Sequence, residues 1–450
     1  MKRRGRFILA IDQGSSATKA VVFDARGRIL GTGRAAVQGK TASAIVESVE
    51  RAVRRAGGFH GVDAIGIANQ RSTLARWDSQ GRPMGRLVSW WERTGLDPAR
   101  VSPRTRTRFR RATGLPLLAN WWAGKFSRLG APPRTGTVDS LLLAWLSRGE
   151  TFATDLSNAA RTGLVDLSTL ERSPALLDLF GVPRDAHLPV IRPSRSDWGG
   201  GIRAVLGDAG AGLLGATGGE TGIASLVLGT GAFLQVPTPR RIRPPEGLYL
   251  APAWSDARRV RWVLEGAVPG CASALVAGLR AVGLSETATR RIAPRAPRTD
   301  LRALLAPNGL GAIGPADIEG VRIEGDWRGA PSEERLGAIY LGLAHLVARV
   351  VARLPRQPRG IVASGGLSRS RFLLAAVADL SGVPVSASRE AETTARGAAM
   401  LASDLRIPPA RRGAWILPRL APREGARRRA AFEAWIRAVT RADGPSGRRP

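Results

Sequence analysis

The apolar positions of this chain come in short runs divided by turn chemistry. Ile8-Leu9-Ala10-Ile11 stops at Asp12, and Gln13-Gly14-Ser15-Ser16 separates it from Ala20-Val21-Val22-Phe23. The turn residues Arg26-Gly27-Arg28 lead into Ile29-Leu30-Gly31. Runs of this length, bounded by glycine and polar residues, predict consecutive antiparallel strands. Apolar residues recur at helical spacing from Ala42 to Arg55, and Ala64-Ile65-Gly66-Ile67-Ala68 predicts a buried strand. Val138 to Leu146 has helical spacing again, and Leu206 to Ala216 is small and apolar except at Asp208. The opening pattern then returns as Ala224 to Leu228, a Gly229-Thr230-Gly231 turn, and Ala232 to Val236. This recurrence predicts two related lobes. Leu336 to Leu354 predicts a long amphipathic helix, and Gly360-Ile361-Val362-Ala363 a strand running into Ser364-Gly365-Gly366. Beyond about Arg406 the chain is rich in Pro and Arg, with a helical pattern from Gly413 to Thr440 and a frayed end at Asp443 to Gly447.

Composition narrows the class. A chain of 450 residues with 44 % hydrophobic content has room for two or three domains, each with its own core. The 54 glycines and 30 prolines are dispersed, so they mark loops rather than low complexity. No apolar run is long enough to cross a bilayer. The basic start, Met1 to Arg6, is followed by an apolar stretch that ends at Asp12, which does not fit a secretory signal. Cys271 is the single cysteine and there is no Cys/His zinc pattern, so a reducing cytoplasm is expected.

The formal net charge of +32 raises the question of a nucleic-acid partner. Arginine greatly outnumbers lysine, however, and is scattered through every segment. Aromatic residues sit mostly away from the arginine clusters, so the stacking-plus-phosphate pattern of a single-strand binder is missing. The charge reads as a compositional habit, and no nucleic-acid or membrane partner is expected.

Four motifs carry candidate chemistry. Asp12-Gln13-Gly14-Ser15-Ser16-Ala17-Thr18-Lys19 lies between two strands. Glycine and small hydroxyl residues let backbone N–H groups close on an anion, Asp12 can hold hydrated Mg2+, and Lys19 can reach a phosphate. Gly229-Thr230-Gly231 repeats the strand–turn–strand arrangement. Two such turns facing each other would clamp a triphosphate. Ser364-Gly365-Gly366-Leu367-Ser368, at a strand-to-helix junction, suits close approach of adenosine or its ribose, with Ser368 as a helix cap. Gly207-Asp208-Ala209-Gly210 opens a small-residue helix, where Asp208 is either a cap or a general base. His60, His187 and His345 are far apart and read as structural or surface residues.

In order and spacing these motifs resemble the FGGY carbohydrate kinases, most of all their glycerol-kinase-type branch. Ile11 to Ser16 resembles the branch's opening Asp-Gln-Gly-Thr-Thr. Gly66-Ile67-Ala68-Asn69-Gln70-Arg71, with Trp77-Asp78 and Ser89 to Arg93, is similar to its Asn-Gln-Arg-Glu and Trp-Gln-Asp segment. Thr113 to Leu117 with Lys125, and Thr154 to Thr162, resemble its next two blocks. Leu264-Glu265-Gly266, Asn308-Gly309-Leu310-Gly311 and Glu392 to Ala399 complete the series, which spans roughly residues 7 to 402.

The resemblance implies an α/β fold of two ribonuclease-H-like lobes, of the actin and hexokinase type, around an ATP cleft. It places a substrate and phosphate lobe at 1–217, a nucleotide lobe at 218–405, and an Arg/Pro-rich extension at 406–450. It implies an ATP-dependent phosphotransferase acting on a hydroxyl of a small polyol or sugar, with ATP and Mg2+ as cofactors and a possible homo-oligomer. Asp208 would be the general base and Asp12 the metal ligand. Gly14, Ser15, Ser16, Lys19, Gly229, Thr230 and Gly231 would bind phosphates. Gly365, Gly366 and Ser370 would contact adenosine. Arg71, Ser72, Trp90, Asn120 and Asp208 would line the substrate pocket.

The chain departs from the branch at several of these and neighbouring positions. Ser72 stands where it has a glutamate, Asn120 near its tyrosine, Ala209 where it has a glutamine, and Ser370 or Arg371 where its adenosine loop has an asparagine. The alternatives are a catalytically weak, nucleotide-binding regulatory relative, and a glycerol kinase proper.

Overall fold

The computed structural model describes residues 7–93, 95–129, 134–229, 231–287, 289, 291–298, 300–307, 309–310 and 319–442. Thr230, Asn308, Gly311, the basic start and the end at Asp443 to Gly447 lie outside the described residues.

Two sheets share one strand plan. The strands and packing helices of both are numbered here in chain order. The first sheet holds β1 (Phe7–Gln13), β2 (Ala17–Asp24), β3 (Ile29–Ala36), β4 (Ala64–Asn69) and β5 (Ile202–Gly207), in the order β5-β4-β1-β2-β3. β1, β2 and β3 run antiparallel, while β4 and β5 are parallel additions beside β1. The second sheet holds β6 (Ile223–Leu228), β7 (Ala232–Thr238), β8 (Tyr249–Ser255), β9 (Val260–Val268), β10 (Gly360–Ser364) and β11 (Val385–Ala387). Its order, β8-β9-β7-β6-β10-β11, is the same plan with one strand added at the edge. The recurrence legible in the sequence is thus a recurrence of topology.

Burial explains the runs. Ile8, Leu9, Ala10 and Ile11 are all buried because the central strand β1 is covered on both faces, and every residue of β4 is buried for the same reason. β3 is the outer strand and exposes alternate residues. Helix α1 (Ala42–Ala56) packs on it so closely that a Cβ at Gly33 would lie 1.9 Å from the Ala52 carbonyl. The Thr41 hydroxyl accepts from the Ala44 N–H at the start of α1, and Gly57 closes its end in the left-handed region.

The lobes exchange helices across their junction. Helix α2 (Asp208–Thr217) follows β5, yet its Leu213 packs on Ala251, Ala253 and Val263 of the second sheet. Helices α3 (Cys271–Ala281), α4 (Ser332–Val351) and α5 (Arg371–Ser381) belong to the second lobe. Helix α6 (Thr393–Ala402) follows β11, yet its Ala395, Ala398 and Ala399 pack on Ile8, Ala10 and Leu206 of the first sheet. Where α2 and α6 cross, a Cβ at Gly215 would lie 1.8 Å from the Thr393 carbonyl, and one at Gly397 1.8 Å from that of Ala211. Only glycine permits this approach.

The C-terminal segment differs from the sequence expectation. Ile416 and Arg412 bridge to Val385 and Ser388, extending the edge of the second sheet. Helix α7 starts only at Pro422 and runs to Ala442. Pro418 and Pro422 account for the late start, since proline is excluded from a helix interior but favoured at its first turn. Phe432, Trp435 and Ile436 of α7 are buried in the second lobe's core, and the His345 ring stacks on Phe432 at 4.2 Å. Burial and the nearby Arg428 and Arg429 push His345 down to about 4. His187 is exposed against Phe152, and His60 is exposed.

Candidate active site

The ends of β1, β4 and β5 lie side by side, and β9 of the second lobe reaches them through Glu265. Asp12 is the penultimate residue of β1. Burial pushes its carboxyl up to about 7, with Lys19 opposing and Asp208 and Glu392 adding to the rise. Lys19, on β2, lies 2.9 Å from Glu392, the residue preceding α6, so this ion pair also joins the lobes. The Gly14 N–H donates to the Ala17 carbonyl at 3.1 Å, closing the first turn. In the second turn the Gly229 N–H donates to the Gly231 carbonyl at 3.0 Å. A Cβ at Gly229 would meet nothing within 4 Å, so this backbone faces open space.

Ser15 belongs to the substrate-side network as well as to the turn. Its hydroxyl donates to Gln70 Oε1 at 3.2 Å and accepts from Trp90 Nε1 at 3.0 Å. Gln70 also donates to Gln13 Oε1 at 3.1 Å, and Asn120 Nδ2 donates to the Trp90 carbonyl at 3.1 Å. One hydrogen-bonded chain therefore links the first turn to Trp90 and Asn120. Ser16 is exposed at the tip of the turn.

Asp208 is the first residue of α2, with Gly207 as the cap residue. The capping alternative therefore does not hold. Its Oδ1 accepts from the Ala209 N–H at 2.8 Å and lies 3.5 Å from Arg71 Nε. The side chain is 41 % exposed, so the carboxylate reaches solvent through the cleft although protein surrounds it. Burial raises its pKa, while Arg71 and the Ala209 N–H pull it back.

Arg71 is held from the other lobe. Its Nη1 and Nη2 donate to Glu265 of β9 at 2.7 and 3.2 Å. Gln235 of β7 donates to the same carboxylate at 3.0 Å, and Arg161 lies 3.3 Å from it. Burial alone would raise Glu265, but Arg71 and Arg161 outweigh it and hold the carboxyl at about 2. Ser72 adopts a left-handed backbone (φ 65°), and its hydroxyl donates to the Arg161 carbonyl at 3.2 Å. Lys125 is buried and donates to the carbonyls of Ser72 and Ser89 at 3.1 and 2.7 Å. Burial pushes its amine down to about 7.

The third motif sits beside the second turn. Gly365 has φ 91°, and a Cβ there would lie 2.4 Å from the Leu228 carbonyl, whereas Gly366 faces open space. Ser370, rather than Ser368, caps the following helix, accepting from the Leu373 N–H at 3.3 Å. Ser368 instead donates to the Gly365 carbonyl at 2.7 Å.

Comparison with known proteins matches both halves of this arrangement. Residues 7–211 match the N-terminal domain of the FGGY family of carbohydrate kinases, and residues 224–403 match its C-terminal domain. The chain belongs to the FGGY family of carbohydrate kinases. It is an enzyme that transfers a phosphoryl group from ATP to a polyol or sugar. It is 34 % identical to the glycerol kinase of Thermus brockianus over 98 % of this chain and 99 % of that one. It is 30 % identical to that of Listeria welshimeri over 88 % and 89 %. Its fold superposes on Plasmodium falciparum glycerol kinase with ADP at a TM-score of 0.83 and 19 % identity, covering 97 % and 98 % of the two chains. Gluconate kinase from Lactobacillus acidophilus superposes at 0.82 and 18 % identity, covering 98 % and 99 %. At such identity these superpositions bear on the fold, which is the two-lobed plan expected for an FGGY kinase.

Glu265, Arg161 and Gln235 were not legible as site residues. The sequence marks Glu265 only as part of a Leu-Glu-Gly match within a strand. Nothing local shows that β9 crosses the junction to face Arg71, some two hundred residues earlier. Glu392 was hidden in the same way, as part of a block preceding a helix.

Proposed function

We propose that this FGGY kinase phosphorylates a polyol or sugar longer than glycerol, with Asp208 as the general base. The observation that carries the reading is a partly exposed Asp208 at the start of α2, with Arg71 beside it and Asp12 near enough to feel its charge. Asp208 accepts the proton of the attacking hydroxyl, and Arg71 orients the acceptor beside it. Gly14, Ser15, Ser16, Lys19, Gly229, Thr230 and Gly231 cradle the phosphates, and Gly365, Gly366 and Ser370 take the adenosine side. Transfer then depends on positioning and charge stabilisation.

Asp12 fits a Mg2+ ligand, because its carboxyl is buried beside other acids and its charge calls for a cation. Among the described residues no group of three ligating side chains forms a ready-made metal cage. This agrees with Mg2+ taking one or two carboxylates together with phosphate oxygens and water. When bound, the ion neutralises charge on the transferring phosphate. On this reading residues 1–217 form the substrate and phosphate side and residues 218–405 the nucleotide side.

Chain length is the finer part of the proposal. Ser72 and Ala209 are short, and Asn120 spends its amide on the Trp90 carbonyl, so none of them reaches out to grip a three-carbon acceptor. The test is a coupled ADP-release screen over trioses, polyols, tetroses and pentoses. A four- or five-carbon acceptor is expected to give the highest kcat/KM. Glycerol matching or exceeding every longer candidate would overturn the specificity reading.

A further inference from the structure

A buried cation beside the Arg71–Glu265 pair has donors without hydrogen-bond partners. Arg161 lies in the short turn Ala160–Thr162 and its side chain is 12 % exposed. Its Nη1 is 3.3 Å from Glu265 Oε2, but neither Nε nor Nη1 has a hydrogen-bond partner, and both atoms are buried. Glu265 Oε1 accepts from Arg71 and Gln235, and Oε2 accepts from Arg71 and pairs with Arg161 Nη1 by charge without a hydrogen bond, which leaves Nε unserved. The guanidinium sits 5.1 Å from the Trp121 ring centre and 5.5 Å from that of Tyr249, and neither ring face accepts a full hydrogen bond. Unpaired buried donors on a charged group are costly, and such exceptions call for an explanation. A second orphan is nearby: Gln235, whose Nε2 donates to the same carboxylate, has a buried Oε1 without a donor.

Orphan donors and an orphan acceptor around one carboxylate match one ligand chemistry. A hydroxyl accepts through its oxygen and donates its proton, so a chain of hydroxyls can serve both. The ion pairs set the order of groups as Asp208, Arg71, Glu265 and then Arg161. Arg161 is close enough to Arg71 and Asp208 to feel their charges, so it borders the same site. We propose that Arg161 is a further substrate-contacting residue, binding a hydroxyl or carbonyl oxygen of the acceptor remote from the phosphorylated one, and so selecting for chain length. This rests on the reading of Asp208 and Arg71 as the acceptor site. The Trp121 and Tyr249 rings fix the guanidinium plane, and Ser72 fixes its backbone through the carbonyl.

The experiment compares acceptors of different length in the full-length enzyme. Arg161→Met should lower kcat/KM for a four- or five-carbon acceptor by about 30-fold, the scale of a lost charged hydrogen bond, chiefly through KM. The ATP KM should move less than about threefold, and the loss for glycerol should be several-fold smaller than the loss for the longer acceptors. Arg161→Lys, which keeps the charge, should recover part of the loss. Equal losses for glycerol and for the longer acceptors would assign Arg161 a structural role and overturn the proposal. An unchanged acceptor KM in Arg161→Met would overturn it equally. If the methionine variant does not fold, the lysine variant decides by the same ratio. Wild-type preference for glycerol would instead refute the chain-length reading, and a rise in glycerol KM alone in Arg161→Lys would then show the contact without the selectivity.

Discussion

The two lobes share a strand plan but not their chemistry. In the first, the strands on either side of the leading turn carry Asp12 and Lys19, and the segments between β4 and β5 supply Arg71, Trp90, Asn120 and Lys125. In the second, the described part of the equivalent turn is bare glycine backbone, and the connections around it mostly fill a core. Both sheets bury their central strands alike, so the fold tolerates either set of loops. Function is carried at the strand ends, where the backbone turns and polar side chains are free to face the cleft. The second lobe contributes one acid to the acceptor side, Glu265, and it does so by reaching across the junction.

The sharpest test of this division is at Asp208. Asp208→Asn should lower kcat at least about 100-fold, the usual share of a general base, while ATP affinity measured by calorimetry stays close to wild type. Asp12→Ala should do the reverse, moving the ATP and Mg2+ dependence and sparing the acceptor KM. If both variants shift the same parameter, the two ends of the first lobe do not divide the work.

Glu265→Gln asks whether the second lobe shapes the acceptor pocket. The change keeps the shape but removes the charge that faces two buried arginines. A loss of about 2 kcal/mol is expected on breaking such a pair, read as a rise in acceptor KM with the ATP KM little changed. An effect confined to ATP would show that Glu265 serves its own lobe alone.

The smallest effects are on stability, and here the lobes should act with the same sign but in different windows of the pH axis. Lys125 sits at about 7 in the folded first lobe, against 10.5 for an ordinary lysine. Below about pH 7 it is charged in both folded and unfolded chains, and the burial cost is fully present. Between about 7 and 10.5 the unfolded chain holds a proton that the folded one has released, so stability rises with pH. Lys125→Met should flatten that rise in a plot of Tm against pH. His345, at about 4 against 6.5, acts on the acid side. There the unfolded chain gains a proton the folded one refuses, and stability falls as pH drops from 6.5 toward 4. His345→Phe should remove that fall, with no change above pH 7. The same pH profile in both variants would deny that the two sites titrate independently.

Much of the architecture was written locally. The run Phe7–Gln13, its turn, and the repeat at Ile223–Leu228 are legible because strand periodicity and glycine turns are short-range signals. The turn motifs and Asp208 could be placed in order along the chain for the same reason. What the chain order conceals is any partnership across the junction. The Arg71–Glu265 pair, the Lys19–Glu392 pair and the orphaned donors of Arg161 arise only when α2 and α6 exchange lobes and draw the strand ends together. Ser370, not Ser368, caps its helix because the short turn after Gly365 delays the helix start, and that depends on the backbone path. The C-terminal helix begins at Pro422 rather than Gly413 because Pro418 and Pro422 exclude an earlier helix and Arg412 and Ile416 bridge to Ser388 and Val385 along the sheet edge. Local sequence sets strands, turns and helix faces, since these depend on neighbours within a few residues. The long-range pairs that make a pocket depend on which surfaces bury each other, and only the packed structure decides that.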